Sequence, residues 1–326
     1  MQNNKNQHWC ISGLTRGRID RMTAQHAAAG QLQLKYWAEA RLQRWGHIAV
    51  PLSSTRVAIH GGYGRDGKKL RRLDDVVIVS SDGTVAPTAS STPRPKARER
   101  HGAAAVEGGF VIHGGRAGGA FGDAWRWDDD VWTELRCEGS PPAPRWSHGF
   151  VALPGEALLA CGGRGDAGDL DADAHVLDLA TQTWSRVAAP AFPVAFACST
   201  SDGCVVAFGG GRAARFAGAA WSELALDDAA AAASRRLAAC VCATRPGELV
   251  VAGGVPADEG EVGGVAVLRI GEDVKCVAEA PLDVTRAYPV HAAAARSGDG
   301  VVIFGGGVPC LSFAPVFGDS VRVVMT

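Results

Sequence analysis

Six diglycines punctuate this chain, at Gly61-Gly62, Gly114-Gly115, Gly162-Gly163, Gly209-Gly210, Gly253-Gly254 and Gly305-Gly306, at intervals of 53, 48, 47, 44 and 52 residues. A recurrence at that period marks one supersecondary unit used repeatedly, each copy too small to bury its own apolar face and so obliged to stack on its neighbours. Each doublet follows a short apolar run: Arg56-Val-Ala-Ile-His60, Phe110-Val-Ile-His113, Leu158-Leu-Ala-Cys161, Val205-Val-Ala-Phe208, Leu249-Val-Val-Ala252 and Val301-Val-Ile-Phe304. Unbroken apolar runs of this length predict strands covered on both faces.

Upstream of each run lies a second strand-length segment of small residues: His47-Ile-Ala-Val50, Gly102-Ala-Ala-Ala-Val106, Ser147-His-Gly149, Ala195-Phe-Ala-Cys198, Leu237-Ala-Ala-Cys240 and His291-Ala-Ala-Ala-Ala295. These alanine runs are too short for helices and stop at turn residues, so they read as strands. Small side chains suit strands that converge on a narrow axis. A third strand is often opened by Asp, as at Asp75, Asp123, Asp173 and Asp319, and a fourth begins with Trp at Trp132 and Trp184. Repeats four and five lack the first-strand His and the fourth-strand Trp. The Asp227-Asp228 pair followed by Ala229 to Ala233 reads as a loop or a degraded outer strand.

Four short antiparallel strands, a diglycine after the second and a period of about 50 residues resemble the kelch repeat. The spacing from first-strand His to diglycine, 14, 13, 14 and 14 residues for His47, His101, His148 and His291, carries that resemblance. It implies an all-β, six-bladed kelch β-propeller with four antiparallel strands per blade. The sixth repeat reaches Thr326 directly after its third strand, so its fourth strand is expected from the other end of the chain. Trp37 stands seven residues before Arg44, much as Trp184 stands eight before Phe192, which points to residues 33 to 39 as the outer strand of blade six. The competing pattern is an amphipathic helix from Met22 to Leu42. The expected organisation is a flexible tail over 1–30 and the propeller over 31–326.

Hydrophobic residues make up 47% of the chain and charged ones 21%, which excludes wholesale disorder. With 33 basic and 34 acidic side chains the net charge is -1, so no bulk field draws the chain to nucleic acid or membrane, and any anion site has to be local. There is no 18-residue apolar run and no basic-then-apolar leader, so the expected location is cytoplasmic, without membrane or DNA partners. The nine cysteines are odd in number and form no CxxC pair, which reads as reduced side chains, most of them buried, such as Cys161, Cys198, Cys204, Cys240 and Cys242. Cys240-x-Cys242 lacks the further ligands a metal needs, so no metal and no cofactor are expected.

An arginine opens the innermost strand at Arg44, Arg98, Arg145 and Arg236, lying 17, 16, 17 and 17 residues before the diglycine; Arg286 is two positions off that register. Rotational pseudo-symmetry would set these guanidiniums around one channel mouth, where planar forks bind carboxylate or phosphate. In kelch proteins that recruit acidic peptides the matching position lines the ligand mouth, so the resemblance implies a binding role. The competing reading pairs each arginine with an Asp or Glu or stacks it on a Trp. His47, His60, His101, His113, His148 and His291 read as hydrogen-bonded structural residues. The diglycines lack the helix of a phosphate-binding loop, and no G-x-S-x-G is present. Nor do Tyr36, Tyr63 and Tyr288 supply counterparts to the ligands of the copper-radical oxidases, which use kelch-like propellers. The chain is not expected to be an enzyme on its own.

The last repeat, Val301-Val-Ile-Phe-Gly305-Gly-Gly-Val-Pro-Cys310-Leu-Ser-Phe313, resembles the kelch region of tRNA wybutosine-synthesizing proteins, where a propeller is fused to an S-adenosylmethionine-dependent methyltransferase or another pathway domain. That resemblance implies a non-catalytic scaffold binding tRNA or a partner methyltransferase through the arginine-lined mouth. If the chain is part of an enzyme, that enzyme is an S-adenosylmethionine-dependent tRNA methyltransferase whose catalytic domain is absent here. The alternative is a kelch protein-interaction module, such as a substrate receptor for acidic peptides. Either way a monomeric propeller with a protein or tRNA partner is expected.

Overall fold

The apolar run before each diglycine becomes the second strand of an antiparallel sheet in the computed structural model, which describes residues 32–37, 42–89, 92–167, 173–200, 202–256, 262–283, 287, 289–298, 300–308, 316–317 and 320–325. The tail expected over 1–30, Arg286, Cys310, Ser312 and Asp319 lie outside the described residues. From the start of the described chain the strands are β1 (Leu32–Trp37), β2 (Arg44–Trp45), β3 (Ile48–Pro51), β4 (Arg56–His60), β5 (Tyr63–Asp66), β6 (Lys69–Arg72), β7 (Val76–Ser80) and β8 (Val85–Pro87). Sheet one runs β3-β4-β7-β8, from the small-residue strand outward. β4 is buried at four consecutive positions, Val57 to His60, because the sheet is covered on both faces.

The same order repeats. Sheet two is built from Gly102–Val106, Gly109–His113, Ala124–Asp128 and Val131–Leu135. Sheet three uses Gly149–Leu153, Ala157–Cys161, Ala174–Asp178 and Thr183–Val187, with the two-residue strand Glu138–Gly139 added in parallel at its outer edge. Sheet four holds Phe196–Ser199, Val205–Gly209, Arg212–Ala217 and Ala220–Leu224, and sheet five Cys240–Ala243, Glu248–Ala252, Val265–Ile270 and Val274–Ala280. Sheet six joins Ala293–Ser297, Gly300–Phe304 and Ser320–Met325 to β1, which pairs antiparallel from Leu32 opposite Met325 to Trp37 opposite Ser320. β1 alternates with period two: Leu32, Leu34 and Tyr36 pack on the sheet-six core while Gln33 and Lys35 are exposed, the pattern of a strand and not of a helix.

The core lies between sheets. Ile48, Val50, Ala58 and Ile78 of sheet one meet Phe110, Ile112, Trp125, Trp127 and Trp132 of sheet two. On the other side of sheet one, Val57, Ile59, Val77 and Val79 meet Ala295, Val302 and Phe304 of sheet six. Each such fully buried large side chain contributes about 1.5–3 kcal/mol relative to exposure. The inner strands lie against one another in sequence, and Ala293–Ser297 lies against β3.

Two expectations need correction. The alanine stretch is neither loop nor strand: Asp228–Ser234 is the helix α1 between sheets four and five. Asp227 caps it, its side chain accepting from Ala230 N, and alanine is the strongest helix former. Repeat four also has its fourth-strand tryptophan: Trp221 in Ala220–Leu224, with its indole N–H donating to the Ala188 carbonyl at 2.8 Å. No helix among the described residues is long and apolar enough to cross a membrane.

Candidate functional site

The strand-opening arginines occupy equivalent points of their repeats, with exposures of 7% for Arg44, 0% for Arg98 and 1% for Arg145. Arg98 grips Asp123 with both prongs of its fork, each at 2.7 Å, and donates to the Gly114 carbonyl at 2.9 Å. Its Cζ stands 4.5 Å from the centre of the Phe121 ring. Burial pushes the Asp123 pKa up, but the Arg98 hydrogen bonds and charge, with a hydrogen bond from Trp125, outweigh it and hold the carboxyl below its ordinary value. Arg44 repeats the arrangement on Asp75, both prongs at 2.9 Å, with the Gly61 carbonyl at 3.1 Å. Arg145 donates to the Gly162 carbonyl at 2.9 Å. In sheet five no Asp opens the third strand, and Arg236, half-buried, donates instead to the Gly264 carbonyl at 2.8 Å. Burial lowers the Arg236 pKa against the pull of Glu279 and Cys276. Arg44 and Arg98 therefore link the start of the first strand to the start of the third, across the diglycine.

The diglycine is needed because two backbones converge there. Gly61 and Gly62 have φ of +66° and +91°, and a Cβ would stand 2.8 Å from the Arg98 carbonyl oxygen at the first and 2.8 Å from that of Trp45 at the second. Gly62 N–H donates to the Arg98 carbonyl, Gly115 to that of Arg145, and Gly306 to that of Arg44. Each bond ties one sheet to the next, the last from sheet six to sheet one. Below them histidines pair between sheets: His60 with His101 at 2.9 Å, and His113 with His148 at 3.0 Å. His60 also packs on Trp132 and His113 on Trp184, with ring centres 4.9 and 5.2 Å apart. Burial, with nearby arginine charge, drives all four pKa values down, His113 to about 3. These imidazoles are neutral parts of the frame.

Two residues beyond the strand-opening position, Gly46, Arg100, Ser147, Ala238 and His291 share φ values of +66°, +56°, +52°, +59° and +53°. They form a chain of backbone hydrogen bonds: Ser147 N–H to Arg100, Arg100 to Gly46, Gly46 to His291 and His291 to Ala238. The intervening residue pairs with the one after the diglycine, giving Trp45 opposite Tyr63, Glu99 opposite Arg116, Trp146 opposite Arg164 and Leu237 opposite Val255. Non-glycine residues at positive φ persist only where their surroundings over-determine them, and such positions concentrate at ligand clamps.

Charge and aromatic rings meet along this chain of residues. Arg100 Cζ lies 5.4 Å from the Trp45 ring centre and Arg116 Cζ 4.7 Å from that of Trp146. The one carboxylate among them, Glu99, is 4% exposed and accepts from Arg72 at 3.0 Å. Burial lowers the Arg100 pKa; Glu99 opposes this, while Arg116, Arg164 and Arg72 push it further down. Arg100 Nε and Arg116 Nε are buried without a hydrogen-bond partner among the described residues. Arg116 and Arg164 directly follow diglycines, a register visible in the sequence.

The seven described cysteines are all free, and burial raises the thiol pKa of Cys161, Cys240 and Cys242 to about 12. Among the described residues no group of three or more His, Cys, Asp or Glu could hold a metal ion.

In comparisons with known proteins, the chain is 29% identical over 154 residues to the tRNA wybutosine-synthesizing protein 2/3/4 of Arabidopsis thaliana, covering 45% of this chain and 15% of that protein. It is 30% identical over 135 residues to Adagio protein 3 of the same plant, covering 38% and 22% of the two chains. Acyl-CoA-binding domain-containing protein 5, also from Arabidopsis thaliana, is 44% identical over 59 residues, 18% and 9% of each. The chain thus spans less than a quarter of the length of these relatives. Residues 32–210, more than half of the chain, match the family described as KLHDC2/KLHL20/DRC7 Kelch-repeats domain. With sheets, diglycines and interlocking arginines repeating in step with that match, the chain belongs to the Kelch-repeat family.

Proposed function

We propose that residues 31–326 form a closed, six-bladed, non-catalytic propeller whose mouth binds a protein partner by seating a carboxylate between Arg100, Arg116 and Arg164. The contact of sheet six with sheet one and the outer position of β1 support closure. The binding reading rests on one observation: Arg100 and Arg116 keep a buried Nε without a hydrogen-bond partner among the described residues, while the neighbouring carboxylate, Glu99, is already engaged by Arg72 and the charges of Arg116, Arg164 and Arg72 repel that of Arg100. An incoming carboxylate relieves that repulsion and meets forks suited to it. Arg44, Arg98, Arg145 and Arg236 then act as the frame that holds the mouth. Free cysteines fit a reducing compartment such as the cytoplasm.

A second reading, a scaffold for tRNA wybutosine synthesis, draws on the likeness to the Arabidopsis protein of that name. Both are separated by fluorescence anisotropy of the full chain with a labelled oligoglutamate peptide and, in parallel, with unfractionated tRNA. The expected result is peptide binding that weakens at least tenfold in an Arg100→Ala, Arg116→Ala, Arg164→Ala variant of unchanged thermal stability. Binding of tRNA without binding of the peptide would favour the second reading and remove the first.

A further inference from the structure

β5 and β6 form a hairpin, Tyr63 opposite Arg72 through Asp66 opposite Lys69, that stands on the mouth because β5 pairs with β2. Its ten residues, Tyr63 to Arg72, carry five cations, Arg65, Lys68, Lys69, Arg71 and Arg72, against one acid, Asp66. In a chain of net charge -1 that is a marked local concentration. Two of the five are engaged: Arg71 with Asp66 at 2.6 Å and Arg72 with Glu99 at 3.0 Å. Arg65, Lys68 and Lys69 are exposed and have no ion-pair partner within 4.0 Å among the described residues.

The hairpin is held firmly. Arg65 N–H donates to the Gln43 carbonyl at 3.0 Å and Leu73 N–H to that of Gly62 at 2.8 Å. Arg72 reaches across to sheet two, its Cζ 6.0 Å from the Tyr63 ring centre, and lands on Glu99, the neighbour of Arg100. Through the Arg72–Glu99 contact the hairpin thus adjoins Arg100 and the guanidiniums beside it.

We infer that the β5–β6 hairpin is a second binding surface, taking acidic side chains that flank the carboxylate seated in the mouth, so that the partner is an extended acidic segment and not a single isolated residue. The inference rests on the binding reading above and adds its partner class. The aromatic residues favour an acidic polypeptide over single-stranded nucleic acid: Trp45 and Trp146 are 5% and 6% exposed and lie against Arg100 and Arg116, so neither offers the open ring face on which bases stack. Exposed, unpaired lysines and arginine act mainly on encounter rate and salt dependence.

The test uses the full chain and two labelled peptides, a short one of three glutamates and a long one of ten, read by anisotropy at about 0.05 M and about 0.5 M salt. An Arg65→Glu, Lys68→Glu, Lys69→Glu variant is expected to bind the long peptide about tenfold more weakly at low salt, to lose most of that difference at high salt, and to bind the short peptide as the unaltered chain does. The Arg100→Ala, Arg116→Ala, Arg164→Ala variant is expected to weaken both. Loss of both peptides in the mouth variant with unchanged long-peptide binding in the hairpin variant overturns the second surface and leaves the mouth standing. Loss in the hairpin variant alone upholds the hairpin and removes the mouth. Oligouridylate binding tighter than the long peptide's, and abolished by the hairpin variant, overturns the choice of an acidic polypeptide.

Discussion

His113 Nδ1 and His148 Nε2 stand 3.0 Å apart in the core between sheets two and three, and His113 Nε2 and His148 Nδ1 have no partner among the described residues. Burial first, then the Arg145 charge, lowers the His113 pKa from 6.5 to about 3, and burial and His113 lower that of His148 well below 6.5. Between those values the unfolded chain takes up protons that the folded chain refuses. The stability these residues contribute is therefore complete above the unfolded pKa and is lost as pH falls from 6.5 toward 3, at up to about 1.4 kcal/mol per pH unit for each histidine. We expect the urea midpoint to fall steadily from pH 7 to about pH 5, above the range in which most carboxylates titrate. A His113→Gln, His148→Gln variant, less stable at neutral pH, should show a shallower slope; an equal slope would refute the role given to this pair. The sequence displays the register of these histidines, and the structural reading of them follows from it. That they pair between sheets is not legible, because the partners lie 35 residues apart and meet only once the sheets stack. The arginines show the same division: spacing reveals the repeat, but whether a fork faces solvent or Asp123 is decided by burial.

α1 has seven residues, too few to be stable alone. It forms because Asp227 works on two elements at once: Oδ1 accepts from Ala230 N at 2.8 Å and Oδ2 from Cys276 N at 3.0 Å on the outer strand of sheet five. Ala230 and Ala233, both 0% exposed, then fill the space between sheets four and five. Asp227→Ala should cost about 1–2 kcal/mol, the sum of a helix cap and one edge hydrogen bond, and Asp227→Asn distinctly less. Thermal melts of the two variants beside the unaltered chain check this; equal losses would mean that the carboxylate does not cap. The cap was present in the sequence, but a run of alanines has no apolar stripe, so periodicity is silent where propensity and packing decide. β1 is the opposite case: the spacing of Trp37 before Arg44 points to a strand, and the partial burial of Leu32, Leu34 and Tyr36 in alternation with exposed Gln33 and Lys35 decides it against the helix.

At the scale of the whole molecule, β1 covers an edge that would otherwise be open. Its six residues pair with Ser320–Met325, Leu32, Leu34 and Tyr36 pack against the core shared by sheets five and six, and the Tyr36 hydroxyl accepts from Asp283 N at 2.7 Å. Without it the last strand would present unpaired N–H and C=O groups, a template for association between chains. If the sheets close into one ring, opening sheet six loosens its contact with sheet one and is felt at every inter-sheet core, not only locally. A chain starting at Gln43 should therefore melt in a single transition at a lower temperature than the full chain, by several degrees on the scale of about 2–4 °C per kcal/mol, and should associate as its concentration rises. Adding a peptide of residues 31–38 should restore part of the loss and suppress association. An unchanged melting temperature would mean that β1 is an ornament on a sheet that stands without it. A separate early transition with the remainder unaffected would mean that the sheets form an open row in which the first and last are neighbours without being joined.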